Sequence, residues 1–159
     1  MMFIVFKIPE KTIKLESDRD YLTFSEEDLH WCFATDITIN GINDTECIEL
    51  EASLLGFLKD FIFSIHNMSL KNETLCEVND NRYDSYCLSL NFIDDKVCIY
   101  EAYSDKTLEV DKNTFWSDCS QFTHDVLKQM ENTFTSLEKS NSFVKYRELV
   151  EKLIRDFFC

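Results

Sequence analysis

Residues 33–41 read Phe-Ala-Thr-Asp-Ile-Thr-Ile-Asn-Gly, and this stretch decides the fold class. Its apolar and polar side chains alternate, which is typical of a β-strand with one buried face. Asn40 and Gly41 tolerate positive φ angles, so this pair predicts a two-residue hairpin turn. We expect a second strand to return antiparallel to the first and to end near Leu50.

The segment after this hairpin is predicted to be a core helix. Apolar residues recur three and four positions apart over residues 54–65, which is the spacing of one helix face. Ser53 or Glu51 can cap its start, and residues 66–67 mark its expected end. Gly56 costs about 1 kcal/mol relative to Ala inside a helix, and we expect it to admit the close approach of a neighbouring strand.

Further strands are predicted on both sides of this unit. Residues 2–8 are expected to form an opening strand that Pro9 ends, and residues 12–15 a second short strand. Over residues 74–111 the hydrophobic period falls to two, which indicates an antiparallel meander with a hairpin turn at Asp94-Asp95. The β-structure therefore extends through most of the first two thirds of the chain.

The last third is predicted to be helical. Residues 112–159 contain two apolar stripes at helical spacing. The candidate N-cap residues are Asn113, Thr114, Ser140 and Ser142. The predicted class is α+β, with antiparallel hairpins and a meander, one core helix after the first hairpin and two C-terminal helices. We expect a single domain over 1–159, with a β-rich acidic part at 1–111 and the helical part at 112–159.

Composition limits the cellular context. No stretch approaches the roughly 18 to 20 apolar residues of a membrane span, and the N-terminus has no basic leader or small-residue cleavage site. The seven cysteines are an odd number without a C-x-x-C pair, which favours free thiols in a reducing compartment. We expect a cytoplasmic protein that does not enter the membrane.

The formal net charge of −14 is unevenly distributed. Residues 1–111 carry all of it, whereas residues 112–159 hold seven acids and seven bases. Between Glu16 and Glu51 there are eleven acids and a single base, Arg19. Such a field repels phosphate backbones and attracts basic partners, so we predict a basic protein partner and no direct binding of nucleic acid. The candidate partner-binding residues are Asp20, Glu26, Glu27, Asp28, Asp36, Asp44, Asp94 and Asp95.

No catalytic, metal or cofactor motif is found in the sequence. A phosphate-binding glycine loop, a G-x-S-x-G elbow and an H-E-x-x-H helix are all missing. The acidic stretch 80–84 lacks the loop glycine and the bidentate Glu of an EF-hand. His30 and Cys32, placed on one side of a possible strand, supply two of the four ligands that a structural zinc needs. We therefore predict a non-enzymatic protein without a cofactor or a metal.

The combination of an acidic hairpin, the core-helix segment Leu-Leu-Gly-Phe-Leu at residues 54–58 and no catalytic residues resembles bacterial immunity proteins. These belong to polymorphic-toxin and contact-dependent inhibition systems. The resemblance implies a protein that neutralises a cognate toxin domain by tight binding, with acidic residues meeting basic ones.

Alternative functions are left open by the same residues. One is another protein-interaction or regulatory subunit, including an acidic mimic of nucleic acid that occupies a DNA-binding protein. An enzyme with a dispersed active site would need a pocket with perturbed carboxylates or a Cys and His pair. The charge balance of residues 112–159 also permits homo-oligomers through the C-terminal helices.

Overall fold

The computed structural model describes residues 2–42, 46–80 and 82–158, and within them it confirms the α+β class. The strands are β1 (Ile4–Lys7), β2 (Ala34–Asn40), β3 (Cys47–Ser53), β4 (Leu75–Asn79), β5 (Cys87–Ile93), β6 (Lys96–Glu101) and β7 (Lys106–Asp111). The helices are α1 (Glu10–Ser17), α2 (Glu26–Leu29), α3 (Leu54–Leu70), α4 (Lys112–Thr133) and α5 (Asn141–Phe158), with a 3₁₀ turn at Leu137–Lys139.

The strands form two antiparallel sheets, ordered β1-β2-β3 and β4-β5-β6-β7. In β2 the alternation is confirmed, because Thr35, Ile37 and Ile39 are buried. The same holds in β5, where Leu88 and Leu90 are buried on one face. Each sheet therefore presents one apolar face to the core and one face to solvent.

Helices α3 and α4 contact both sheets. A chain of aromatic rings follows these contacts: Phe122 of α4 lies 5.7 Å from Phe6 of β1 and 6.3 Å from Phe57 of α3, measured between ring centroids. Phe57 in turn lies 5.2 Å from the ring of Tyr86, just before β5. The buried apolar residues accordingly form one continuous cluster that includes both sheets.

The first hairpin differs from the two-residue turn predicted at Asn40-Gly41. Asn40 is the last residue of β2 and pairs with Cys47, so residues 41–46 connect the strands. Gly41 does not have a positive φ. Instead, a Cβ at Gly41 would lie 3.4 Å from Leu108 of β7, and Ile42 N donates to Glu109 O at 2.9 Å. Gly41 and Ile42 therefore lie against the edge of the second sheet.

The short strand predicted at residues 12–15 is wrong, because this segment belongs to helix α1. Pro9 starts the helix, since its carbonyl accepts hydrogen bonds from Thr12 N and Ile13 N. The residues that α1 buries are polar: Thr12, whose Oγ1 donates to Ala34 O at 2.6 Å, and Glu16. Because the buried residues of α1 are polar, the positions of its apolar residues do not reveal the helix.

Helix α3 begins as predicted, since Ser53 Oγ accepts from Gly56 N at 3.4 Å. It continues past the expected end at residues 66–67 to Leu70. A Cβ at Gly56 would lie 3.2 Å from the His30 carbonyl oxygen and 3.3 Å from its Cα. The close neighbour of Gly56 is therefore the backbone that follows α2, and the expectation of a strand there is wrong.

The C-terminal helices are capped by one expected residue and one unexpected residue. Ser140 Oγ accepts from Phe143 N at 3.2 Å, which confirms Ser140 as a cap. Helix α4 is capped by Asp111, whose carboxylate accepts from Thr114 N at 3.3 Å. The caps predicted at Asn113 and Thr114 are wrong, because strand β7 leads directly into the helix through Asp111.

The turn between β6 and β7 is organised by one buried carboxylate. Glu101 is 3% exposed and accepts hydrogen bonds from the backbone N–H groups of Ser104, Tyr103 and Cys87, at 2.7, 3.2 and 3.1 Å. Burial alone would raise the pKa of Glu101, but these bonds outweigh it and lower the pKa below its ordinary value of 4.5. The ionised form is the one that stabilises the turn.

Glu101→Gln is expected to lower the free energy of unfolding at pH 7 by about 1–3 kcal/mol, because charge-assisted hydrogen bonds are replaced by neutral ones. A carboxylate with a lowered pKa stabilises fully above its ordinary pKa of 4.5 and loses this effect as pH falls through the folded pKa. Urea denaturation from pH 7 to pH 3.5 should therefore show the difference between Glu101→Gln and the wild type shrinking at the acid end of this range. Glu109→Gln, on the exposed face of β7, is the control, and a pH-independent difference would contradict this role for Glu101.

Candidate partner-binding surface

Asp28, one of the predicted partner-binding residues, caps helix α2. Its side chain accepts from Ser25 N at 2.9 Å, and Ser25 Oγ accepts from Asp28 N at 3.3 Å, which is a capping box. Because this carboxylate accepts a hydrogen bond from a free backbone N–H at the helix start, it stabilises the N-terminus of α2.

The exposed carboxylates of Glu26 and Glu27 are each paired with a cation from another element. Lys59 Nζ of α3 lies 3.4 Å from Glu26, and Arg82 Nη1 lies 2.9 Å from Glu27. Such exposed pairs contribute about 0–1 kcal/mol each. The charge of α2 is thus partly compensated on the surface of the protein itself.

Asp36 lies on the solvent face of the first sheet, directly opposite Glu51. Lys7 of β1 is its neighbour on the other side. Among the described residues, neither Asp36 nor Glu51 has a salt bridge. Like charges directly opposite in a sheet destabilise it, so this pair is a local cost that the fold tolerates.

The other predicted residues lie elsewhere. The Asp20 side chain accepts from Leu22 N at 3.0 Å in the turn after α1. Asp94 and Asp95 form the predicted hairpin turn between β5 and β6. This turn follows Ile93, the last residue of β5, which lies about 20 Å along the strand from its first residue, Cys87. Asp44 lies outside the described residues. The predicted acids therefore do not form one surface.

A groove of about 360 Å³ lies beside Glu51, and we name it the acidic aromatic groove. Its lining includes His30, Trp31, Glu51, Asp80, Tyr83 and Ser85. Trp31 is 49% exposed and Tyr83 is 59% exposed. Trp and Tyr are enriched among the residues that dominate binding energy in protein interfaces.

The turn that carries Trp31 is anchored in the core by Phe33. The φ of Phe33 is 64°, a left-handed conformation that is unusual for a bulky side chain. Its ring is fully buried 4.9 Å from that of Phe134, and its carbonyl accepts from Leu54 N at 3.2 Å. These contacts hold the strained residue and fix the position of Trp31 two residues earlier.

The opposite wall is fixed by Asp80. Its Oδ1 accepts from Arg82 N and Tyr83 N, both at 3.1 Å, and its Oδ2 accepts from Ser85 N at 3.2 Å and from Ser85 Oγ. Burial alone would raise the pKa of Asp80, but these bonds outweigh it and lower the pKa. Asp80 is thus ionised, with both oxygens engaged in shaping the loop.

Arg19, the single base of the acidic stretch, is held inside the protein's own network. Its Nε donates to the buried Glu16 carboxylate at 2.7 Å and its Nη2 at 3.2 Å. The guanidinium carbon lies 5.9 Å from the centroid of the Trp31 ring, within the range of a cation–π contact. Arg19 therefore neutralises Glu16 rather than the surface acids.

The sequence suggested that His30 and Cys32 lie on a strand. In the structure they follow α2 instead, and neither belongs to a strand. Burial, together with the charges of Arg82 and Lys59, lowers the pKa of His30, so its ring is neutral near pH 7. His30 is 8% exposed, and its Nε2 has no hydrogen-bond partner in the described part of the chain. Within that part, no three His, Cys, Asp or Glu side chains gather as a metal site.

Three buried thiols are kept protonated by their surroundings. Burial raises the pKa of Cys32 and of Cys76 to about 12, and it raises that of Cys119 well above its ordinary value. Because the thiolate is the reactive form, these three cysteines are poor nucleophiles near neutral pH.

Comparisons with family models, curated proteins and solved structures give no match to this chain. In residues 2–42, 46–80 and 82–158, no helix combines the length and the apolar character that crossing a membrane requires. The groove is therefore interpreted from its own geometry.

Sequence reasoning missed the groove. The sequence pattern does not single out Trp31, and it identifies Glu51 only as an acid and a possible helix cap. Tyr83 gave one usable signal, since it is an aromatic residue inside the polar run 79–85. Only the fold brings the two aromatic side chains to one groove.

Glu51→Lys is expected to raise the free energy of unfolding by about 0.2–1 kcal/mol, because a like-charge pair with Asp36 becomes an opposite-charge pair. Urea denaturation at low salt measures the gain, which should shrink in high salt as the charges are screened. Glu49→Lys is the matched control, since Glu49 lies on the same face but opposite Thr38. Equal gains in both variants would show a general effect of net charge and contradict a specific pair.

Proposed function

We propose that this chain is a non-enzymatic binding protein that neutralises a basic protein partner by direct contact through the acidic aromatic groove. The observation that carries the proposal is Glu51, which lines the groove with the half-exposed Trp31 and Tyr83 and has no salt bridge among the described residues. On the sheet, Glu51 lies directly opposite Asp36. A cationic partner would relieve the repulsion between the two carboxylates.

The two kinds of side chain in the groove have different parts in this proposal. Trp31 and Tyr83 supply apolar area with few rotatable bonds, which favours affinity. Carboxylates and the net charge of −14 accelerate encounter with a basic surface and disfavour acidic ones. The aromatic side chains of the groove would therefore supply affinity, and the negative charge would supply the preference for a basic partner.

The resemblance to immunity proteins names the kind of partner, a cognate bacterial toxin domain. We place the interaction in the cytoplasm, because the odd number of cysteines favours a reducing compartment. In the alternative function, a regulatory subunit or nucleic-acid mimic, the same groove would meet a DNA-binding protein. The two differ in the identity of the partner.

Co-expression with the protein encoded by the adjacent reading frame tests the proposal. The wild-type chain is expected to restore growth and to co-purify with that protein. The double variant Trp31→Ala/Glu51→Lys should lose both, with association slowed about tenfold or more at low salt. Glu109→Lys makes the same charge change on the second sheet and should behave like the wild type.

Two results would count against the proposal. Rescue without a complex would mean that neutralisation does not use direct binding. Rescue and binding that survive the double variant unchanged would move the interface away from the groove. A complex formed with a DNA-binding protein that is not toxic would favour the alternative function.

A further inference from the structure

We propose that the acidic aromatic groove is a receptor for one arginine side chain of the partner, with the guanidinium group beside Trp31 and Tyr83 and bonded to Glu51. This inference rests on the proposed function and specifies the chemistry that the groove recognises. Three observations support it: an internal example of the contact, the availability of Glu51 and the aromatic walls of the groove.

The internal example is Arg19. Its guanidinium carbon lies 5.9 Å from the Trp31 ring centroid while its N–H groups bind Glu16 in a two-point contact. Trp31 is still 49% exposed with Arg19 in place. The exposed part of the same indole can therefore take part in a second contact of this kind.

Glu51 is the carboxylate of the groove that is available to a ligand. Asp80 has both oxygens engaged by the loop, and Glu26 and Glu27 are paired with Lys59 and Arg82. The exposed Glu51 has no salt bridge in the described part of the chain and faces Asp36. A carboxylate in this state can accept two parallel N–H bonds from a guanidinium.

The aromatic walls favour arginine over lysine. The planar guanidinium stacks on aromatic faces and is weakly hydrated, whereas the lysine ammonium is a compact and strongly hydrated charge. Trp31 and Tyr83 line the groove together, with about 360 Å³ of space. A lysine could form a salt bridge with Glu51 but would make weaker contacts with the faces of the aromatic rings.

NMR titration of the ¹⁵N-labelled full chain with N-acetyl-arginine amide and with N-acetyl-lysine amide tests the inference. We expect a saturable shift of the Trp31 indole N–H and of the Tyr83 and Glu51 amides. The arginine derivative should bind at least about threefold more tightly than the lysine derivative. Glu51→Gln should weaken arginine binding at least about fivefold, whereas Asp95→Asn at the hairpin tip should leave it unchanged.

Equal affinity for the two amides, shifts that spread over all acidic segments without saturating, or full binding by Glu51→Gln would each overturn the arginine receptor. The outcomes also separate this inference from the proposed function. If Glu51→Gln still neutralises the co-expressed partner fully, the function stands and the receptor fails. If the arginine amide binds as described but no partner is neutralised, the receptor stands and the proposed function fails.

Discussion

The structure depends on the burial of aromatic rings from α3 and α4 against both sheets. Helices cover only one face of each sheet. Sheets of three or four strands need such a packed apolar face to be stable. Phe57 and Phe122 supply it for both sheets at once, because their rings lie between β1 and the start of β5. Since both sheets bury their apolar faces in this one core, each sheet depends on the same helices.

Much of the fold could be predicted because the hydrophobic pattern follows the geometry of each element. β2, β5, α3 and α4 bury apolar residues at periods of two or 3.6, and each was predicted as the type that forms. Helix α1 was not, because it buries Thr12 and Glu16, whose partners are set by the fold. The local pattern of apolar and polar residues does not predict such tertiary hydrogen bonds.

The candidate site was predictable only as a region of charge. Sequence located the acids but could not show which ones would be neutralised, since Lys59 and Arg82 lie 33 and 55 residues from the acids they pair with. It also could not show that Asp28 would cap a helix or that Asp36 would face Glu51. Register and long-range pairing decide which charges remain, and both are properties of the folded chain.

The long connection between β2 and β3 has a consequence for how the molecule meets its neighbours. Strand β7 is an edge of its sheet, and such an edge can recruit strands from other molecules. Ile42 N donates to Glu109 O, and Lys106 Nζ donates to Cys47 O at 3.1 Å, so Ile42 and Cys47 both contact this edge strand. A strand from another molecule could pair here only by displacing the Ile42 bond, and this contact therefore protects the edge against aggregation.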